Sequence, residues 1–226
     1  MAVVSAVFLL VLCSASCFAQ KRCCFADQYT VHTSEVIVFQ NPSENTTTMI
    51  ISKEIASDFP NNRISQVVRI EQNGQIQDLR AVLFYNNGTE YAVYEDLKTC
   101  IKVQVPGNVE KCLPDEAIYT GSMYVGAGDR KVYVEAWHYY ENTENLHGQA
   151  TMFVTRDEDV CITAGGSWVG IKNRASHTEV GEFFNYTNGI DDPDRFFSLP
   201  DYCDKPFDTF PPPTLAPCKS ASLNSM

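Results

Sequence analysis

Helical periodicity is almost missing from this sequence, and so are the residues that chemistry usually needs. Only four histidines occur (His32, His138, His147, His177), none at the i, i+3 or i+4 spacing that sets two ligands on one helix face. Gly165-Gly166-Ser167-Trp168-Val169-Gly170 comes near a nucleophile elbow, but Val169 stands where the second glycine of G-x-S-x-G belongs, so the stretch reads as a loop. No nucleophile–base pair can be named, and the chain is expected to be no enzyme. Positive charge is scarce too. Lys and Arg number 17 against 28 Asp and Glu, a net charge of −11. Such a surface repels phosphate backbones, which argues against nucleic acid as a partner. Beyond the N-terminus no apolar run nears the roughly 20 residues of a spanning helix, so no transmembrane segment is expected.

What is present begins with a leader. Met1 to Leu12 is almost wholly apolar, and Cys17-Phe18-Ala19 sets small residues at −3 and −1 of a cleavage site. Residues 1–19 read as a signal peptide and Gln20 as the start of a secreted, extracellular chain. Of nine cysteines, seven then remain: Cys23, Cys24, Cys100, Cys112, Cys161, Cys203 and Cys218. Exported cysteines default to disulfides, and their scatter lacks the close C-x2-C pairs of zinc sites. An odd count leaves one thiol over. Sequons at Asn45, Asn87 and Asn185 predict N-glycosylation; Asn45 and Asn87 sit among turn residues.

Between these marks the chain alternates with period two. Strands are expected at 31–39, 46–55, 64–71, 75–85, 90–95, 98–105, 122–126, 131–139, 149–155 and 179–186, with Asn73-Gly74 and Asn87-Gly88 as tight turns. Pro114 to Tyr119 is the one stretch that suits a short helical turn. Two strands are apolar on both faces, Ala81 to Tyr85 and Lys131 to Tyr139, so both are expected to be covered on both sides, or to line a cavity on one. Asp191, Asp192 and Asp194 offer the hard oxygen atoms calcium prefers, without the ordered loop of an EF-hand; a solvated turn is the simpler reading. After Cys203 the chain turns Pro- and Ser-rich, and residues 204–226 read as a tail.

Two stretches carry a resemblance. Leu83 to Glu95 leading to Cys100 is similar to an apolar strand, glycine turn and aromatic–acidic strand of the ependymin and ependymin-related family. Gly189-Ile190-Asp191-Asp192-Pro193 through Phe196, closed by Pro200 and Cys203, resembles that family's G-I-x-D-P-x-x-F block. The similarity spans residues 23 to 203. It implies an all-β fold like that of bacterial outer-membrane lipoprotein carriers: curved antiparallel sheets, as a β-sandwich or half-barrel, around an apolar pocket, with few short helices. It also implies a dimeric secreted glycoprotein associated with lipid, calcium and cell–matrix contact and, in some lineages, with lysosomes. By the same resemblance Cys100 pairs with Cys203, and Cys161 with Cys23 or Cys24; Cys112 with Cys218 is the third bridge expected.

Two functions follow as expectations. The first is a carrier of lipid or another hydrophobic ligand, non-catalytic, with Val82, Phe84, Tyr91, Val93, Tyr133 and Trp137 in the lining. The second is a matrix or adhesion glycoprotein whose acidic surface takes up calcium.

Overall fold

The computed structural model describes residues 22–41, 46–105, 107–143 and 146–205. Eleven antiparallel strands form one curved sheet. The first six run as a meander: β1 (Gln28–Gln40), β2 (Thr47–Asp58), β3 (Arg63–Gln72), β4 (Gln75–Phe84), β5 (Thr89–Tyr94) and β6 (Thr99–Gln104). A second meander follows: β7 (Ile118–Val125), β8 (Val132–Asn142), β9 (Leu146–Asp157), β10 (Val160–Lys172) and β11 (Ala175–Asn188). The order β6-β5-β4-β3-β2-β1-β11-β10-β9-β8-β7 joins them through β1 and β11, paired from Tyr29↔Asn188 to Gln40↔Ser176. The turns follow local chemistry. Asn73 and Gly74, both at positive φ, make the two-residue link between Gln72 and Gln75, as the sequence predicts. Asn173 and Arg174 do the same between Lys172 and Ala175.

The expected strands all exist, and two readings are corrected. Gly165 to Gly170, expected as a loop, is the middle of β10. Its glycines hid the strand, because they leave no side chain to mark the alternation. Pro114 to Tyr119 closes only one turn, Ala117 N–H donating to Pro114 O at 3.0 Å, before β7 begins.

The two faces differ sharply at the β1–β11 seam. Thr33, Glu35 and His177 are buried on the inner face, whereas Val36 and Val180, paired on the outer face, are 44% and 53% exposed. In the first meander the inner face holds Ile37, Met49, Ile51, Val68, Leu79, Ala81, Leu83, Tyr94 and Ile101. In the second it holds Trp137, Tyr139, Ala150, Met152 and Val154, beside Leu113 and the Cys23 and Cys161 sulfurs. No helix among the described residues covers this inner face, so the curvature of the sheet encloses it.

Among the described residues, cover on the outer face lies over part of the first meander. A short helix, α1 (Pro193–Phe197), capped by Asp192 Oδ1 accepting from Arg195 N–H, sets Phe196 and Phe197 onto Ala56 and Val82. Ser65 Oγ and Arg80 Nη1 both donate to Phe196 O, and Arg80 also reaches Ser198 O. Arg63 lies over the Phe197 ring at 4.0 Å.

Three disulfides tie the frame: Cys23–Cys161, Cys24–Cys112 and Cys100–Cys203. The bridge expected between Cys112 and Cys218 is thereby corrected, since Cys112 is taken by Cys24; Cys218 lies outside the described residues. Phe25 N–H donates to Lys111 O and Leu113 N–H to Cys23 O, which lays the β6–β7 connection alongside the N-terminal segment and brings Cys112 to Cys24. Cys161, at the β9–β10 turn, donates its N–H to Cys24 O and so meets the neighbouring Cys23.

One ion pair is built into the seam. Glu35 is fully buried, accepts from Thr33 Oγ1 at 2.9 Å and meets Lys53 Nζ at 2.5 Å. Removing one partner leaves a buried charge uncompensated, which costs about 3–5 kcal/mol. Lys53→Met is therefore expected to lower the free energy of unfolding by that amount in urea titration, and Glu35→Gln added to it to recover most of the loss.

Candidate inner-face cleft

Register across the second meander lays out three inner-face rows. Glu35, Gly181, Gly166, Met152 and Trp137 form one, each paired with the next. Ile37, Glu179, Trp168, Ala150 and Tyr139 form the next. Phe39, His177, Gly170, Gly148 and Glu141 form the third. Glycines 148, 166, 170 and 181 flatten the floor, and the aromatic rings fill the space above them.

Trp168 shows why the glycines are needed. Its indole lies over Gly148 and Gly170: a methyl on Gly148 would stand 2.3 Å from its ring, and one on Gly170 would stand 2.3 Å from His147 O and 2.7 Å from the ring. The indole Nε1 donates to Glu141 Oε2 at 2.8 Å. Its edge meets the His177 ring at 5.2 Å, and His177 meets Phe39 at 4.4 Å. On the next row, Gly181 leaves room for Glu35, whose Cγ a methyl there would approach to 2.9 Å.

The result is a narrow cleft of about 40 Å³, walled by Trp168, Tyr139, Met152 and Phe183, with Glu141 and Glu179 at its polar end. That is room for a few waters. The charges around it perturb one another. Burial pushes the Glu141 carboxyl up, more than the Trp168 bond and Lys172 pull it down. Burial acts the same way on Glu179, but the His177 bond with Lys53 and Lys172 outweighs it and holds that carboxyl low. Burial lowers the Lys172 ammonium against the pull of Glu179 and Glu141. Burial, with Glu141, Glu110 and Glu179 nearby, pushes Tyr139 up to about 12. His177 Nδ1 is buried without a hydrogen-bond partner. No step of bond-making chemistry follows from this set; it can hold a ligand's polar end beside an apolar wall.

The residues expected to line a pocket divide between the two faces. Trp137 is on the inner face, in the cluster beneath the cleft. Val82 and Phe84 instead pack outward under α1, and Tyr91 and Val93 pack with Cys100 and Cys203. Their neighbours Leu79, Ala81 and Leu83 are the inward residues of β4, because a parity error of one residue flips every side chain. Tyr133 is in β8 on the Trp137 face, exposed, and borders a separate open cavity of about 430 Å³ with Val132, Val134, Thr155 and Arg156. Trp168, Glu141, His177 and Glu179 were not among the residues singled out for the lining; recognising β10 would have brought Trp168 into register with Tyr139.

Asp191, Asp192 and Asp194 are exposed at the start of α1, where Asp192 is spent on the cap. Among the described residues no three His, Cys, Asp or Glu converge as a metal site. Asn87 and Asn185 are exposed, Asn185 at positive φ in β11; Asn45 lies outside the described residues. No helix among the described residues is long and apolar enough to cross a membrane.

Comparison with known proteins gives four findings. Residues 73–203 match the family model described as Ependymin. The Development-specific protein LVN1.2 of Lytechinus variegatus is 29% identical over 160 residues, covering 67% of this chain and 85% of its own. Among solved structures, an uncharacterized conserved protein of Thermus thermophilus aligns with a TM-score of 0.48 at 4% identity, over 78% of this chain and 87% of its own. A LolA-superfamily protein of Nitrosomonas europaea aligns at 0.34 and 10% identity, over 76% and 90%.

Two outcomes test the cleft. Gly170→Ala forces Trp168 or the β9 backbone to move, so it should destabilise the protein by about 1–3 kcal/mol in thermal melts and change tryptophan emission. The second is pH dependence. Because the folded protein holds the Glu141 proton above the ordinary value of 4.5, it binds more protons there than the unfolded chain, and stability falls as pH rises through that window. Glu141→Gln should flatten that fall. Glu179 acts with the opposite sign, its contribution present above the unfolded value and lost as pH drops through the lowered one.

Proposed function

The chain belongs to the ependymin family, and from that premise we propose that it is an extracellular, non-catalytic protein that takes an amphiphilic lipid or similar hydrophobic ligand against the inner face of its sheet. The observation that carries this reading is the cleft itself: an apolar and aromatic wall of Trp168, Tyr139, Met152 and Phe183 ending in the half-buried carboxylates of Glu141 and Glu179. Withdrawing a carboxylate from water is unfavourable unless it is paired, so polar groups at the end of an apolar wall suit a ligand with a polar end. Secretion rests on the leader at residues 1–19 and on three disulfides, which persist in oxidising compartments. Glycans at Asn87 and Asn185 belong to the same reading, as does a homodimer, for which the open outer patch of Val36, Ile50, Val169 and Val180 is a suitable surface.

The cleft of about 40 Å³ is far below the roughly 300 Å³ of a small-molecule site, so binding goes with widening, and Trp168 is the side chain nearest to give way. Ten methylenes withdrawn from water offer roughly 8 kcal/mol before the ligand's lost freedom and the cost of widening, which leaves affinity in the micromolar range.

Delipidated protein titrated with a fatty acid or lysolipid should change its tryptophan emission. Trp168→Phe should remove most of that change and Trp137→Phe should keep it. If neither a spectral change nor bound lipid in native mass spectra appears on folded protein, the carrier reading fails.

A further inference from the structure

The end of the sheet at β7 and β8 is unlike the rest. Of the eight residues of β7, Ile118, Tyr119, Met123, Tyr124 and Val125 are exposed apolar or aromatic side chains, and β8 opens with Val132 and Tyr133 exposed as well. Val125 and Tyr133 reach 63% and 68%. Cross-strand register sets Val125 opposite Val132 and Tyr124 opposite Tyr133, so successive pairs present apolar side chains to opposite faces of the ribbon. β8 pairs with β9 only from Glu135 onward, so Val132 and Tyr133 are unpaired on that side and separated from Thr155 and Arg156 of β9 by an open gap, while Val134 is buried and the turn at 126–131 forms the free end. The base is fixed: Glu135 accepts from Arg156 at 2.7 and 3.0 Å and from Trp137 Nε1 at 3.1 Å. The tip is Gly126-Ala127-Gly128-Asp129-Arg130-Lys131, net positive on a chain of net charge −11, with Lys131 Nζ 4.4 Å from the Tyr124 ring centre.

We propose that this ribbon is a lipid-contact element that seats its apolar tip in the headgroup region of an anionic bilayer. An interface between water and hydrocarbon covers both faces of a two-stranded ribbon at once. A second copy added along the β7 edge would satisfy the strand's backbone groups and leave both faces bare. Tyrosines with one apolar and one polar end suit that depth, and so do cations beside them. The charge argument is local. Screening confines the field of the acidic body to about 8 Å at physiological salt, so a surface touched by the tip meets Arg130 and Lys131 first. The unpaired edge of β7 confines the ribbon to the headgroup layer, where water still satisfies its backbone.

The test uses the full mature glycoprotein and vesicles of phosphatidylcholine with and without phosphatidylserine. Binding should rise with phosphatidylserine and fall with salt. Arg130→Gln and Lys131→Gln should each weaken it by about fivefold on the anionic vesicles. Val125→Asp with Tyr133→Ser should weaken it by about tenfold or more on both kinds. Both side chains are exposed, so melting temperatures should hold, and a variant that loses vesicles together with its melting transition is replaced by Val132→Asp. Absence of vesicle binding by the wild type, or equal binding by the ribbon variants, overturns the proposal. So does a shift from dimer to monomer in light scattering without vesicle binding, which would assign the ribbon to self-association. Titration of the same preparations with fatty acid separates this proposal from the cleft, since ribbon variants should keep the tryptophan response.

Discussion

Everything in this fold hangs on the pairing of β1 with β11. Each other strand pairs with its neighbour in sequence and closes only a short loop, whereas this seam brings residues about 29–40 to residues 176–188. Loop-closure entropy is largest there and hairpin propensity contributes nothing. The Cys23–Cys161 bridge, 138 residues apart in sequence, shortens that closure by fastening the segment just before β1 to the start of β10. Without the seam each meander would expose its apolar face. With it, the two faces curve into one enclosed interior.

Coverage of the other side explains why the sequence looks more hydrophobic than a one-sided sheet should. β4 and β5 are apolar on both faces because α1 and the Cys203 segment lie on their outer side, with Arg80 stitching the helix carbonyls to the sheet. β10 and β11 have no such cover, and their outer valines meet solvent. Among the described residues, the covering element therefore lies on the first meander, and the outer face of β10 and β11 in the second meets solvent. The cleft, the open outer patch and the projecting ribbon are all on that second meander or at its seam.

The strands were legible wherever alternation and turn residues agreed, as in Lys98 to Val105 and at Asn73-Gly74. Their faces were less so. Ala81-Val82-Leu83-Phe84 carries apolar residues at both parities, so nothing local says that Leu83 points inward and Val82 under α1; a long-range contact with Phe196 decides it. β10 was hidden for a related reason. At Gly170 the indole and His147 O leave no room for a methyl, and at Gly165 and Gly166 the Gly181 and Thr151 carbonyls would crowd one at 3.2 and 3.0 Å, facts of tertiary packing that read locally as a loop. Alternation gives the strands, and the family resemblance adds their curved arrangement and the Cys100–Cys203 pairing, while the third bridge depends on which element the β6–β7 connection passes, and the structure gives that path.

The interior also carries a cost in one place. Glu35, Lys53, Glu179, Lys172 and Glu141 bring alternating charges onto the inner face around Trp168 and His177, where apolar residues of the same volume would serve stability at least as well. The first meander supplies Glu35 and Lys53 to this group and buries Glu90 opposite Leu83, but the rest of its interior is Ile, Leu, Met and Val. Charges partly withdrawn from water beside the cleft that glycines hold open are what the proposed carrier reading would put to use. They also bias its chemistry. A purely aliphatic ligand would strand Glu141 and Glu179 in a still drier setting, whereas an amphiphile with a hydrogen-bonding or cationic end can satisfy them while its tail lies along Met152 and the Trp137 cluster.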